Sequence, residues 1–201
     1  MGVYRRYVKR ALDVAASLLL LIALLPVFAL IAFAIKLDSK GPVFFTQVRI
    51  GRDEKPFKII KFRTMRVKAP SEMPTRLMQR SRAYITRVGR FLRITSLDEL
   101  PQLINILKGD MSFVGFRPCL WNEYELDDER RRNGAYSVRP GITGIAQIRG
   151  RDELEPAEKA RLDGVYARHV GFDYDFRIIT KTVFAVFYKE GYKEGGDFGL
   201  E

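Results

Sequence analysis

The chain predicts an α+β fold, mainly helical, in which an apolar N-terminal segment enters a membrane and a small β-hairpin and amphipathic helices follow. Three observations carry this expectation. Val14 to Ile35 is uncharged and almost wholly apolar. Pro42 to Ile50 and Phe57 to Phe62 are short β-branched and aromatic runs with turn residues between them. Most of the remainder repeats its apolar residues at helical spacing. The 201 residues therefore divide into a membrane-inserted segment, 1–36, and one globular unit, 37–201, long enough for a single core.

Val14 to Ile35 reaches about 33 Å as a helix, the thickness of a bilayer core. A spanning helix, a cleaved signal peptide and a re-entrant helix all meet that description. Arg5, Arg6, Lys9 and Arg10 with Ala32-Phe33-Ala34 imitate a signal peptide, but the apolar core is too long for one. Lys36 and Lys40 match the leading cations, so the positive-inside rule selects neither orientation of a simple span. Pro26, at mid-run, cannot donate to the carbonyl of Ile22 and kinks or breaks the helix there. Physics leaves a kinked span and a re-entrant hairpin both open.

Next comes the hairpin, closed by Gly51-Arg52-Asp53-Glu54-Lys55-Pro56. Lys68 to Thr75, KAPSEMPT, reads as a surface loop. Arg93 to Pro118, RITSLDELPQLINILKGDMSFVGFRP, then sets adjacent carboxylates, Asp98 and Glu99, before a short amphipathic stretch. Leu100, Leu103, Ile104 and Leu107 recur at helical spacing, Pro101 suits a first turn, and Lys108-Gly109 forms a stop. A helix N-terminus keeps a carboxylate ionised and attracts phosphate. There an aspartate can attack phosphorus while its neighbour holds a divalent metal. The same residue types also serve as an ordinary helix start, with Asp98 as N-cap or Ser96 and Glu99 as a capping box.

Toward the C-terminus, Phe176, Ile179, Val183, Val186 and Phe187 form an apolar stripe beside Arg177, Lys181 and Lys189. A membrane-surface helix and a helix packed in a soluble core both satisfy this pattern. The net charge of +11 calls for anionic partners such as nucleic acid, lipid headgroups or nucleotide diphosphates. Nucleic acid is not expected, since helix-turn-helix, zinc-ligand and RNA-binding aromatic motifs are missing from the sequence. The single Cys119 forms no intramolecular disulfide, and the single His169 reads as structural or interfacial.

LDELPQ (Leu97 to Gln102), KGDMSFVG (Lys108 to Gly115) and Arg117-Pro118 follow GPVFFTQVRIG (Gly41 to Gly51) and KFRTM (Lys61 to Met65), and precede RPGITG (Arg139 to Gly144). In this order the motifs resemble the bacterial sugar transferases, the monotopic polyprenyl-phosphate phosphoglycosyl transferases, from about Lys9 to about Tyr188. The resemblance implies the small form, without the multi-span N-terminal region of larger relatives. It implies a re-entrant membrane helix broken at Pro26, an interfacial C-terminal helix, and a catalytic domain on the cytoplasmic face of the bacterial inner membrane. Leu25-Pro26 stands where some members have Ser-Pro.

The implied reaction moves a sugar 1-phosphate from a UDP-sugar to polyprenyl phosphate at the bilayer surface. Asp98 is the implied nucleophile, forming an acyl-phosphate with release of UMP, and Glu99 the implied Mg²⁺ ligand. A diphosphate also needs fixed cations around the nucleophile. Lys61 and Arg63 alternate on one strand face, Arg93 precedes the dyad, and Arg117 and Arg139 each precede a stiffening proline; a solvated surface cation is the alternative for each. The resemblance brings Arg117-Pro118 and Arg139-Pro140-Gly141 near the nucleotide, with Gly141 and Gly144 allowing close backbone approach. Phe116 and Ile145 depart from the family, which usually has proline and often an aromatic there; both are expected near the nucleotide, Phe116 stacking on the base or filling a gap. The rival readings are a non-enzymatic, membrane-anchored basic module and a glycosyl transferase that releases UDP. A re-entrant helix predicts that reporters fused at Gly2 and after Glu201 both report cytoplasmic; opposite sides would refute it.

Overall fold

The computed structural model describes residues 2–67, 84–150 and 154–187. The expected loop Lys68 to Thr75, together with Tyr188 and Lys189, lies outside them, as do the side chains of Val186 and Phe187. A π-helical turn, Tyr4–Val8, leads into α1 (Lys9–Ala23), and after Leu24 the chain resumes as α2 (Leu25–Asp38). Pro26 lies in the first turn of α2, where its missing N–H costs least, and the two limbs are bent by 61°. No single helix among the described residues is long and apolar enough to cross a membrane; the bent pair meets that test only together. Each limb is about 21 Å long, so such a bend carries the apex only about 11 Å beyond the line joining its ends.

One stripe of α1 and the turn before it is polar and docks on the globular unit. Arg5 donates to the Ala167 carbonyl (2.9 Å), Lys9 Nζ lies 2.7 Å from Asp175 Oδ2, and Asp13 accepts from the Phe113 N–H (3.2 Å). Tyr4 and Tyr166 also donate to Asp175, each at 2.7 Å. The opposite side bears exposed Leu12, Leu19 and Ile22, continued on α2 by Leu30 and Phe33.

β1 (Phe44–Ile50) and β2 (Pro56–Phe62) form the expected antiparallel hairpin, with Phe45 opposite Lys61, Gln47 opposite Ile59 and Arg49 opposite Phe57. The far edge of β2 is closed by a side chain from the next layer. α3 (Arg87–Thr95) ends at Ser96, Leu97–Glu99 form a 3₁₀ turn, and α4 spans Gln102–Lys108. Within α4, fully buried Asn105 accepts from the Ile60 N–H (2.9 Å) and donates to the Lys58 carbonyl (2.7 Å), pairing with β2 as a neighbouring strand would. Gly109, at φ 93°, ends the helix where the sequence predicts a stop.

A second pairing is not legible in the sequence: β3 (Ser112–Val114) runs parallel to β4 (Gly141–Thr143). Around this pair gather α5 (Tyr124–Asn133), α6 (Ile145–Arg149), α7 (Pro156–Arg168) and α8 (Phe172–Phe187). Their core includes Val114, Tyr136, Leu162, Tyr166 and Ile178. A buried ion pair, Arg130 Nη2 to Asp163 Oδ2 at 2.8 Å, joins α5 to α7. Phe116 and Ile145 belong to this core, at 0% and 2% exposure, so of the two expectations for the Phe116 ring it is gap filling that the structure shows, and no open face is left to stack on a base. The Phe116 ring instead meets Tyr136 edge-on and lies under Arg130. On α8 the inward face is Asp175 and Ile178, while Phe172, Phe176, Ile179 and Val183 are exposed. Over its described residues, Phe176, Ile179 and Val183, the C-terminal stripe is thus not core packing.

Two outcomes follow for thermal or urea unfolding. Asn105→Leu strands the Ile60 N–H and Lys58 carbonyl and should cost about 2–5 kcal/mol. Phe116→Pro deletes a fully buried ring and should cost about 3–5 kcal/mol.

Candidate active site

Ser96 adopts the left-handed conformation (φ 58°) and turns the chain sharply from α3, so that Asp98 and Glu99 face β2. They lie one turn before α4, whose N-cap position is Pro101, and not at its N-terminus as expected from the sequence. The capping explanation also fails. Neither Ser96 nor Pro101 makes a side-chain cap, and the Glu99 carboxylate is directed away from the backbone. Its Oε1 accepts from Lys61 Nζ at 2.7 Å and from Arg117 Nη2 at 3.1 Å.

These partners arrive from separate parts of the fold. Lys61 stands on β2, held at that height by Asn105; Arg117 follows β3, and Arg93 comes from the last turn of α3. The Glu99 and Lys61 side chains are mostly buried, whereas that of Arg117 is 46% exposed and rims the site. Although desolvation acts to raise the Glu99 carboxyl, Arg117 and Lys61 outweigh it and bring its pKa down to about 2. Asp98 is shifted the opposite way. Burial raises its carboxyl, aided by the Glu99 charge, and Lys61, Arg93 and Arg117 only partly oppose this. The expectation of a helix terminus favouring its ionised form is therefore corrected. A carboxylate poor in hydration is a stronger nucleophile than one in water.

The structure gathers Asp98, Glu99, Lys61, Arg93 and Arg117, with Pro118 immediately behind. Arg93 Nε also donates to Thr64 Oγ1 (2.9 Å), which fixes its approach to Asp98. Three other expected residues are placed elsewhere. β2 ends at Phe62, and the Arg63 guanidinium turns under the C-terminus of α2, donating to the carbonyls of Lys40 (2.8 Å) and Ser39 (2.7 Å). Arg139 donates to the Gly109 carbonyl (2.8 Å) at the far end of α4, where Arg10 holds the carbonyls of Ile106 and Leu107. Gly141 faces Gly115 so closely that a Cβ on it would lie 2.1 Å from the Gly115 nitrogen; the close approach is between two strands. In this structure Arg63, Arg139 and Gly141 thus act as structural anchors and do not join the group around Asp98.

Two neighbours of the site escaped sequence reasoning. Gln47 and Arg49 share the Lys61 face of the hairpin, Arg49 donating to Gln47 Oε1 (2.7 Å) and to the Pro118 carbonyl (3.3 Å). The alternation in TQVRI carries the signal, but only the pairing register connects it to Lys61. Burial lowers the Arg49 pKa, Glu123 opposes that, and the charges of Arg117 and Glu99 also reach it.

The profile of the family described as bacterial sugar transferase matches residues 4–189. A UDP-glucose:undecaprenyl-phosphate glucose-1-phosphate transferase of Escherichia coli strain K12 is 44% identical over 189 residues, 90% of this chain and 40% of its own. An undecaprenyl-phosphate glucose phosphotransferase of Komagataeibacter xylinus is 42% identical, over 87% of this chain and 35% of its own. An uncharacterized sugar transferase of Bacillus subtilis strain 168, EpsL, is 38% identical over 92% of this chain and 90% of its own length. The chain thus spans less than half of the first two relatives and most of the third. From the motifs around Asp98 and Glu99 and a match that runs almost end to end, this chain belongs to the bacterial sugar transferase family.

Proposed function

We propose that this protein transfers a sugar 1-phosphate from a UDP-sugar to polyprenyl phosphate, with Asp98 as nucleophile. The observation that carries the reading is the asymmetry of the dyad. Glu99 is bound by two cations and stays ionised, while the carboxyl of half-buried Asp98 is raised by desolvation. The Escherichia coli relative bears the name of such a reaction with UDP-glucose and undecaprenyl phosphate.

In the first step an Asp98 carboxylate oxygen attacks the β-phosphorus. The bond from that phosphorus to the bridging oxygen breaks, UMP carries away the electron pair, and an aspartyl-phosphosugar remains. In the second step a phosphate oxygen of polyprenyl phosphate attacks the same phosphorus and returns the Asp98 carboxylate, giving polyprenyl-diphosphate-sugar. Arg117, half exposed at the rim, and Lys61 face the diphosphate charge, and Arg93 supports Asp98 as its own charge is spent. Among the described residues no group of three or more His, Cys, Asp or Glu side chains forms a metal cage. The donor chemistry nevertheless suits Mg²⁺, which is commonly held by one or two carboxylates with substrate phosphates completing its shell. Both cationic hydrogen bonds to Glu99 use Oε1, so Glu99 Oε2 and Asp98 are the residues to hold it. When bound, Mg²⁺ neutralises developing phosphate charge.

The shallow bent helix pair and the exposed apolar stripe of α8 support a site at the bilayer surface, reached by a soluble donor and a lipid acceptor; the cytoplasmic face is part of the proposal and rests on the family resemblance alone. A non-enzymatic basic module accounts for the charge but not for a carboxylate fixed by two cations beside a desolvated one.

Intact mass after incubation with Mg²⁺ and UDP-sugars should reveal a phosphosugar adduct that Asp98→Asn lacks and that polyprenyl phosphate discharges, with UMP as co-product. UDP as the product, or no adduct and no UMP from a folded protein, would overturn the reading. Lys61→Met should lower kcat/KM by about a hundredfold, through loss of electrostatic stabilisation.

Stability should follow the two shifts. The depressed Glu99 pKa contributes stability above about pH 4.5 that is lost as pH falls toward 2. The raised Asp98 pKa has the opposite sign: its ionisation costs stability at neutral pH. Asp98→Asn should therefore melt at or above the wild-type temperature at pH 7 while losing activity about a thousandfold or more.

A further inference from the structure

Gln147, on α6, is 9% exposed, and both polar atoms of its amide, Oε1 and Nε2, are buried without a hydrogen-bond partner. Ile145 and Ile148 on the same helix are core residues, so the amide is held in place by apolar neighbours and not by polar ones. Among the described residues no other side-chain amide has both ends bare. Leaving a donor and an acceptor unpaired is costly, and groups of this kind are commonly completed by something that enters.

Its neighbours place it behind the loop that carries Arg117. Gly144 packs tightly there: a Cβ would lie 2.8 Å from Gln147 Oε1 and 2.1 Å from the Gly115 carbonyl oxygen, so glycine is what lets the amide and the loop meet. Gly115 is two residues before Arg117, about 7 Å of extended chain. At the other end, Arg117 Nη2 lies 3.1 Å from Glu99. One loop therefore presents a phosphate-binding cation at one end and an unpaired amide behind the other.

We propose that Gln147 recognises the base of the donor nucleotide, pairing its amide with the edge of uracil: Oε1 accepts from N3–H and Nε2 donates to an adjacent carbonyl oxygen. A planar donor beside an acceptor matches that edge, which alternates in the same way. The inference rests on the reading that the donor is a uridine nucleotide, and it assigns the base to the α6 side of Arg117.

The test is calorimetric titration of the full chain in detergent with UMP, 3-methyl-UMP, ribose 5-phosphate and glucose 1-phosphate, for wild type and Gln147→Met. UMP should bind the variant roughly ten- to hundredfold more weakly. Ribose 5-phosphate should be affected less than twofold, and wild type should bind 3-methyl-UMP as weakly as the variant binds UMP. Without nucleotide the variant should melt no lower than wild type. Equal UMP affinity in both proteins would make the amide a water socket and overturn the inference. Parallel loss of ribose 5-phosphate, or selective loss of glucose 1-phosphate, would overturn it too, by assigning the effect to loop distortion or to the sugar. Should the variant misfold, 3-methyl-UMP binding wild type as well as UMP does would be sufficient refutation. A folded wild type that binds no UMP removes the uridine-donor reading and this inference with it.

Discussion

The side chain of Asn105 joins the helical layer to the hairpin, and the candidate site depends on that joint. A two-stranded sheet exposes unpaired backbone groups on both edges and is marginal alone. By accepting from Ile60 and donating to Lys58, Asn105 serves as one residue of a third strand and fixes the height of α4 against β2. Lys61 is the next residue along β2, and Glu99 lies on the turn that feeds α4. Their 2.7 Å contact therefore follows from a neutral amide clamp several residues away.

Charge at the dyad is divided, not shared. Glu99 concentrates the stabilising contacts of Lys61 and Arg117, and its charge adds to the burial that makes Asp98 costly to ionise. Adjacent carboxylates with pKa values driven apart suit distinct tasks; in the proposed reaction one stays a fixed anion and the other gives up its charge to a new bond. The cost of such an arrangement is offset by apolar burial elsewhere, in the core around β3 and β4.

Docking of α1 connects this chemistry to the apolar segment. Lys9, Asp13 and Arg10 spend their polar groups on Asp175, Phe113 and the end of α4, so the first limb of the bent pair is fixed to the far end of the helix that follows the dyad's turn. Any surface in which the exposed faces of α1, α2 and α8 rest is then held at a set distance from Asp98.

Local chemistry made much of this legible in the sequence. Pro26 breaks the apolar run because a missing N–H and a bulky ring act on the preceding turn alone, and period-two alternation marks the hairpin. Gly109 ends α4 because the left-handed conformation favours glycine. The neighbourhood of Asp98 and Glu99 with Lys61, Arg93 and Arg117 was expected from motif order. What separated Arg63 and Arg139 from them was tertiary: a long cation goes to the nearest unpaired carbonyls, and only the fold determines which helix ends lie within reach. The same holds for Phe116, whose ring is core because β3 and β4 pair in parallel across many intervening residues, and for Gln47 and Arg49, which meet the site through strand register. Sequence determined which residues carry charge, break helices or alternate, since those properties act within a few residues; tertiary structure alone decided which charges meet and which are buried, because desolvation and pairing depend on neighbours distant in the chain.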